Sequence, residues 1–307
     1  MPADSAPVLV TGATGRQGGA TARALLAAGV PVRALVRDPA TDRARAVEAL
    51  GTELVTADLH DRDAVIRAAE GARAVFSVQM PAITAEGFDF EGEVAQGVNL
   101  IESAKAAGVP QFVHTSVTGA GQHTAAPGWA EGRWASMEPT LGAKSAIQDR
   151  ARAAGFPHWT LLKPGFFMEN FLPSMALLFP RGTEGGLVSV LNPGTRLSLV
   201  AVDDIGTAAA AAITAPERFD GVELELASDY LSMTEIAETL SRALDTHVSA
   251  PDMTEEEALA AGMPPMGAGH EWLNAAGQPA RPQYARDLGI PLTSFEEWTR
   301  QHMHPTA

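Results

Sequence analysis

The chain has 307 residues, 46% of them apolar, with a formal net charge of -15, which suffices for one large or two packed globular domains with a proper core. Duplex nucleic-acid binding needs a concentrated basic stripe, and this acidic chain shows none, so no direct nucleic-acid partner is expected. Cysteine is absent, which excludes disulfide staples, thiolate nucleophiles and cysteine-held zinc and fits an intracellular setting.

No apolar run reaches membrane-spanning length, and the opening "MPADSAP" has neither the basic nor the apolar region of a secretory signal, so a cytoplasmic location away from membranes is expected. From residue 7 the chain alternates short β-branched runs with Ala-rich helical patterns. Strands are expected at 7–11, 31–37, 52–57, 72–78, 111–116 and 158–164, and helices at about 16–28, 40–50, 61–70, 86–107 and 136–154. Strand and helix in alternation predict a parallel, doubly wound α/β sheet. After Pro164 the intervals lengthen and Pro, Gly and Met become frequent. Strands at 196–202 and 221–227 still stand out, as do helices from "DDIGTAAAAAIT", "SMTEIAETLSRAL" and "DMTEEEALAAG", the last started by Thr254 and acidic residues. The division expected is a dinucleotide-binding Rossmann domain over 1–165 and a smaller α/β substrate lobe over 166–307 that partly returns to the sheet.

"VLVTGATGRQGGATARALL" follows the first strand and opens the first helix, with Gly12, Gly15 and Gly18 spaced G-x-x-G-x-x-G. Gly12 allows the tight turn, Gly15 the approach of a pyrophosphate, and Gly18 close helix-to-sheet packing. The helix start then offers N–H groups to phosphate. A P-loop is excluded because its Lys is missing. At the end of the second strand a carboxylate binds a free ribose and an arginine binds a 2′-phosphate. "RALVRDP" places Arg37 there, one residue before Asp38, and Arg16 lies in the glycine loop, so NADP(H) is the expected cofactor, with an NAD ligand at Asp38 the alternative. Asp58 in "TADLHD" sits where a carboxylate can accept from adenine, or where a loop residue precedes the next helix.

These segments, with "GVPQFVHTSV", "PGFFMENF" and the final "FEEWTRQH", resemble the NmrA-like family of atypical short-chain dehydrogenases, which contains quinone reductases, NADPH sensors and, more distantly, isoflavone-type reductases. The resemblance covers nearly the whole chain. It implies that Gly12, Thr14, Gly15, Arg16, Gln17 and Gly18 meet the phosphates, Arg37 the 2′-phosphate, and Asp58 and Leu59 the adenine side. It also implies that Gln79, Lys144, Pro164, Gly165 and Phe167 surround the nicotinamide half.

Short-chain dehydrogenases donate a proton from a Tyr whose pKa is lowered by a Lys four residues later. The two tyrosines here, Tyr230 and Tyr284, are followed at that spacing by Thr234 and Leu288, and "TLGAK" has Thr140 four residues before Lys144. Of 22 basic residues only Lys105, Lys144 and Lys163 are lysines, which marks each for a role arginine cannot fill. Lys144, on a helix facing the cofactor cleft, and Ser116, at the tip of the fifth strand, are the catalytic candidates; their plain readings are a helix-surface lysine and a turn residue. Lys163 reads as a snorkelling strand residue. The stripe Phe166, Phe167, Met168, Phe171, Met175 and Phe179, read as a helix, is core or the wall of an apolar pocket. Trp129 and Trp134 are a lid or the anchors of a surface loop. No metal site is expected, since the histidines have no ligand spacing and "HMH" offers two at best.

The reading favoured is an NADPH-dependent reductase of a small apolar or aromatic carbonyl, quinone or imine. The other is a non-catalytic NADP(H) sensor acting through a protein partner. Oligomeric state is left open.

Overall fold

The computed structural model describes residues 6–303 apart from Glu86; most of "MPADSAP" and His304 of "HMH" lie outside them. In chain order the elements are β1 (Val8–Val10), α1 (Arg16–Ala27), β2 (Val32–Val36), α2 (Asp42–Glu48), β3 (Glu53–Thr56), α3 (Arg62–Ala69), β4 (Ala74–Ser77), β5 (Ala82–Thr84), β6 (Gly87–Asp89), α4 (Phe90–Ala106), β7 (Gln111–Thr115), α5 (Glu138–Ala153) and β8 (His158–Pro164). They continue with β9 (Phe166–Phe167), β10 (Arg196–Val200), α6 (Val202–Thr214), α7 (Pro216–Phe219), β11 (Val222–Leu226), β12 (Asp229–Ser232), α8 (Met233–Leu244), α9 (Glu255–Ala260), α10 (Glu271–Ala276), α11 (Pro282–Asp287) and α12 (Phe295–His302).

The backbone divides into two compact units. The first holds Met1–Gly121, Pro139–Lys163 and Ile205–Leu224; the second holds Gln122–Glu138, Pro164–Asp204 and Glu225–Ala307. Seven strands form the main sheet in the order β11-β8-β7-β4-β1-β2-β3, parallel from β8 through β3. This is the expected doubly wound α/β sheet, and its strand order reverses between β1 and β4. The central strands β1, β4 and β7 are buried along their whole length, which is why they are rich in apolar residues on both faces, while the edge strand β3 keeps Glu53 and Thr56 exposed. Leu9, Val75, Phe112 and Leu161 pack with Val65 of α3, Leu100 and Ile101 of α4, and Ile147 of α5.

Two glycines set the spacing of helix pairs in this unit. A Cβ on Gly206 of α6 would lie 2.5 Å from the Ala20 carbonyl of α1, and one on Gly97 of α4 would lie 2.8 Å from Ile147 of α5.

The helix expected from residue 86 begins instead at Phe90, because β6 (Gly87–Asp89), paired antiparallel with β5, precedes it and the Asp89 carboxylate caps the helix by accepting from the Gly92 N–H. The second unit has its own three-stranded sheet, β12-β10-β9. "PGFFMENFLPSM" is not the helix its apolar stripe predicts. Phe166–Phe167 pairs in parallel with Leu199–Val200, and Met168–Phe171 and Pro173–Met175 are short 3-10 turns. Gly165 commits the chain to that pairing, since a Cβ there would lie 2.0 Å from the Ser198 carbonyl oxygen, and Pro173 bars a continuous helix. Phe166, Met168, Phe171 and Phe179 are core of this unit, with Trp298 and Phe295 of α12.

Candidate active site

The candidate site is the carboxyl edge of the main sheet, at the β1/β4 reversal, where ligands bind in this architecture. Gly12 has φ +63, and a Cβ there would meet the Val78 side chain at 2.6 Å; a Cβ on Gly18 would lie 2.3 Å from the Gly12 oxygen and 2.5 Å from the Thr11 oxygen. Any other residue at position 18 would push α1 off the strand. Thr11 ties β1 to β4 by accepting from the Val78 N–H at 2.9 Å. Gln17 Oε1 accepts from Thr115 Oγ1 at 2.7 Å, which fixes the first turn of α1 against β7.

Gly12, Thr14, Gly15 and Arg16 are exposed along this loop. Gly15, the N-cap of α1, gives no side-chain cap and the first turn holds no acidic residue. By contrast α2, α3, α4, α8 and α12 are capped by Thr41, Asp61, Asp89, Ser232 and Ser294. Uncapped N–H groups at the positive end of a helix suit an anion, so the loop fits the pyrophosphate of a dinucleotide.

Arg37 is the first residue past β2 and is exposed. Asp38, exposed like Arg37, turns its carboxylate onto its own loop, accepting from the Ala40 N–H at 2.8 Å. Asp58 likewise accepts from the His60 N–H at 2.8 Å, and the N-cap of α3 is Asp61, not Asp58. Leu59 is half-buried, its carbonyl accepting from Asn99 of α4.

Deeper in the same edge lies a polar cluster. The parallel register sets Ser77 of β4 beside His114 of β7, and Ser77 Oγ is 3.0 Å from His114 Nδ1 and 3.1 Å from Gln79 Nε2. Lys144 of α5 donates to the Gln79 carbonyl at 3.2 Å and to Glu93 Oε1 of α4. The Glu93 carboxylate is wholly buried, while Lys144 keeps 14% of its side chain exposed. The Gly97–Ile147 contact explains the pairing: Glu93 lies one turn before Gly97 on α4, and Lys144 one turn before Ile147 on α5. Burial, with the Lys144 charge second, pushes His114 down to about 3 against an opposing bond to Ser77; it is a neutral imidazole at pH 7, and its Nε2 has no partner among the described residues. Ser116 is buried, donates its N–H to the Leu162 carbonyl and accepts at Oγ from Gln148 Nε2 at 2.7 Å.

The first unit therefore brings together the glycine loop, Gln79, Lys144 and Ser116, with Arg37, Asp58 and Leu59 further along its edge. Pro164 and Gly165 are buried and Phe167 half-buried in the second unit. There the loop tryptophans anchor on α10: Trp129 and Trp134 meet Trp272 edge-on at 5.6 and 5.3 Å, and Trp134 Nε1 donates to the Pro127 carbonyl. Tyr230 belongs to the same unit, its ring under Arg281 at 3.8 Å.

Residues 4–275 match the NmrA-like family. This chain belongs to the NmrA-like family. Among its relatives is an NAD(P)H azoreductase of Xenophilus azovorans, 30% identical over 96% of this chain and 97% of that one. Its fold is similar to an NADPH-dependent quinone oxidoreductase of Escherichia coli solved with NADPH, at 24% identity over 96% and 99% of the two chains and a TM-score of 0.75. It is also similar to NmrA, a negative transcriptional regulator solved with NADP, at 21% identity over 97% and 95% and a TM-score of 0.73.

Sequence reasoning missed Glu93, Ser77, His114 and Gln148 in this NmrA-like protein. For Glu93 a signal existed: with Gly97, Leu100, Ile101 and Ala104 it falls on the buried stripe of α4, where an unpartnered carboxylate is not tolerated. Among the described residues no group of His, Asp and Glu could hold a metal, and no helix is long and apolar enough to cross a membrane.

Proposed function

We propose that this NmrA-like protein is an NADPH-dependent reductase of small aromatic or apolar acceptors with an electrophilic double bond: quinones, imines, carbonyls and azo compounds. The observation that carries the reading is one continuous edge. Gly12 packs on Val78, the neighbouring Gln79 carbonyl holds Lys144, and Lys144 is paired with a buried carboxylate. The first 165 residues would carry the cofactor and the remainder the substrate lobe. Gly12, Thr14, Gly15, Arg16, Gln17 and Gly18 would hold the pyrophosphate, Arg37 the 2′-phosphate, and Asp58 and Leu59 the adenosine side, with Gln79, Lys144, Pro164, Gly165 and Phe167 towards the nicotinamide.

Bound there, NADPH supplies the hydride. The protein's part is orientation and proton delivery. Two bonds, to Glu93 and the Gln79 carbonyl, fix the Lys144 ammonium and leave its third N–H for a ribose hydroxyl or a developing negative charge on substrate. A quinone, imine or azo group is electrophilic enough to be reduced without a phenol, which accounts for Thr140 standing where a Tyr is usual. The azoreductase relative supports this acceptor class.

The same Thr140, with the regulator among the structural neighbours, favours the second reading, an NADP(H) sensor. Incubation with NADPH and a panel of quinones, imines, ketones and aromatic azo compounds separates the two. The reductase reading expects acceptor-dependent loss of the reduced nicotinamide absorbance, and tight NADPH binding without turnover on any acceptor would contradict it.

A further inference from the structure

Ser116 is tied to a chain of side chains whose hydrogen-bond direction is fixed by chemistry. Arg152 of α5 meets the Glu223 carboxylate of β11 through two nitrogens, at 2.5 and 2.8 Å, and Lys163 of β8 reaches the same carboxylate at 2.8 Å. Thus held, Arg152 directs Nη2 at Gln148 Oε1, 3.1 Å away, one turn earlier on the helix. A guanidinium can only donate. The Gln148 oxygen must therefore face Arg152, and its NH2 must face Ser116, to which it donates at 2.7 Å. Ser116 Oγ is thereby an acceptor, and its one hydrogen, which no described residue accepts, is left to donate elsewhere. Gln148 is fully buried, so no competing water would cheaply reverse the order.

We infer that Gln148, oriented by Arg152 and Glu223, is a positioning residue that keeps Ser116 a hydrogen-bond donor towards the oxygen or nitrogen of the substrate that gains negative charge. The inference rests on the reductase reading and specifies how that site polarises its acceptor. Arg152 and Glu223 were singled out by no sequence motif, yet they decide the polarity of a hydroxyl two hydrogen bonds from Arg152 and three from Glu223. A carboxylate at position 148 would reverse that polarity: it would accept from Arg152 and also draw the Ser116 hydrogen away from substrate.

Two measurements test this. In turnover with NADPH and a quinone, Ser116→Ala should lose about 100-fold in kcat, the usual effect of removing one such donor. Gln148→Glu should lose a similar factor with the KM for NADPH unchanged, and the double variant should lose no more than either. Arg152→Lys, which still only donates, should retain most activity, and Arg152→Met should not. Wild-type rates in Gln148→Glu, or losses that multiply in the double variant, would overturn the inference. Neutron diffraction from deuterated crystals of the wild-type chain reads the same point without turnover: both amide deuterons of Gln148 are expected on the atom facing Ser116. Deuterons facing Arg152 would overturn the inference even in an active reductase. Absence of any NADPH consumption by the wild type would instead refute the reductase reading, and with it the substrate-facing role of Ser116, whatever the neutron density shows.

Discussion

Lys144 and Glu93 form an ion pair across two helices in which the carboxylate is wholly buried and the ammonium reaches the surface. Such a pair costs desolvation on both sides, and removing one partner is worse than removing both. Lys144→Met should therefore destabilise the fold by about 3–5 kcal/mol, because it leaves Glu93 uncompensated. Lys144→Met combined with Glu93→Gln should recover most of that loss without recovering turnover. Denaturant melts of the wild type and the two variants check it, and the double variant separates a catalytic loss from an unfolded enzyme.

Gly18 meets backbone oxygens of both Thr11 and Gly12 at 2.5 Å or less once a Cβ is added. Backbone cannot rotate aside, so Gly18→Ala should cost about 1–3 kcal/mol by overpacking and weaken NADPH binding well beyond tenfold by displacing α1. Gly15→Ala, whose added Cβ lies 3.3 Å from one oxygen, should fold normally, so that any loss of affinity reports on phosphate approach alone. Thermal melts and NADPH titration of the two variants check this.

Arg37→Ala should weaken NADPH by about 1.5–3 kcal/mol, the worth of a charge-assisted bond to the 2′-phosphate, and leave NADH almost unchanged. Equal losses for the two cofactors in parallel titrations would take the 2′-phosphate away from Arg37.

Much of the first unit was legible because its central strands are buried on both faces and its helices on one. The run at 158–164 is β8 residue for residue, and in the second unit Thr254 starts α9 with a full capping box, as its sequence suggests. The glycine loop was legible for the same local reason, since turn, strand and helix are contiguous. What failed was non-local. Phe166–Phe167 is a strand because Leu199–Val200 lies beside it, a pairing that helical periodicity cannot reveal. No sequence motif marks Gln148 or Arg152 within α5, and only Glu223, 71 residues further along the chain from Arg152, gives them direction.

Acid should destabilise the protein through two histidines. Burial holds His114 at about 3 and His270 at about 4, against 6.5 for the exposed ring. Below pH 6.5 the unfolded chain binds protons the folded chain refuses, so stability is complete above 6.5 and falls as pH drops towards those values. The slope is up to about 1.4 kcal/mol per pH unit for each histidine. Urea melts between pH 7.5 and 5 should show the fall, and His114→Gln should flatten it.

The most direct test of the central claim is a single-turnover experiment. Protein saturated with NADPH, or with NADPH deuterated at the transferring position, is mixed with an aromatic azo compound or a quinone. Oxidation of one nicotinamide per site, slowed by deuterium, is the result expected of a reductase. Full NADPH occupancy with no loss of reduced nicotinamide on addition of either acceptor would contradict it.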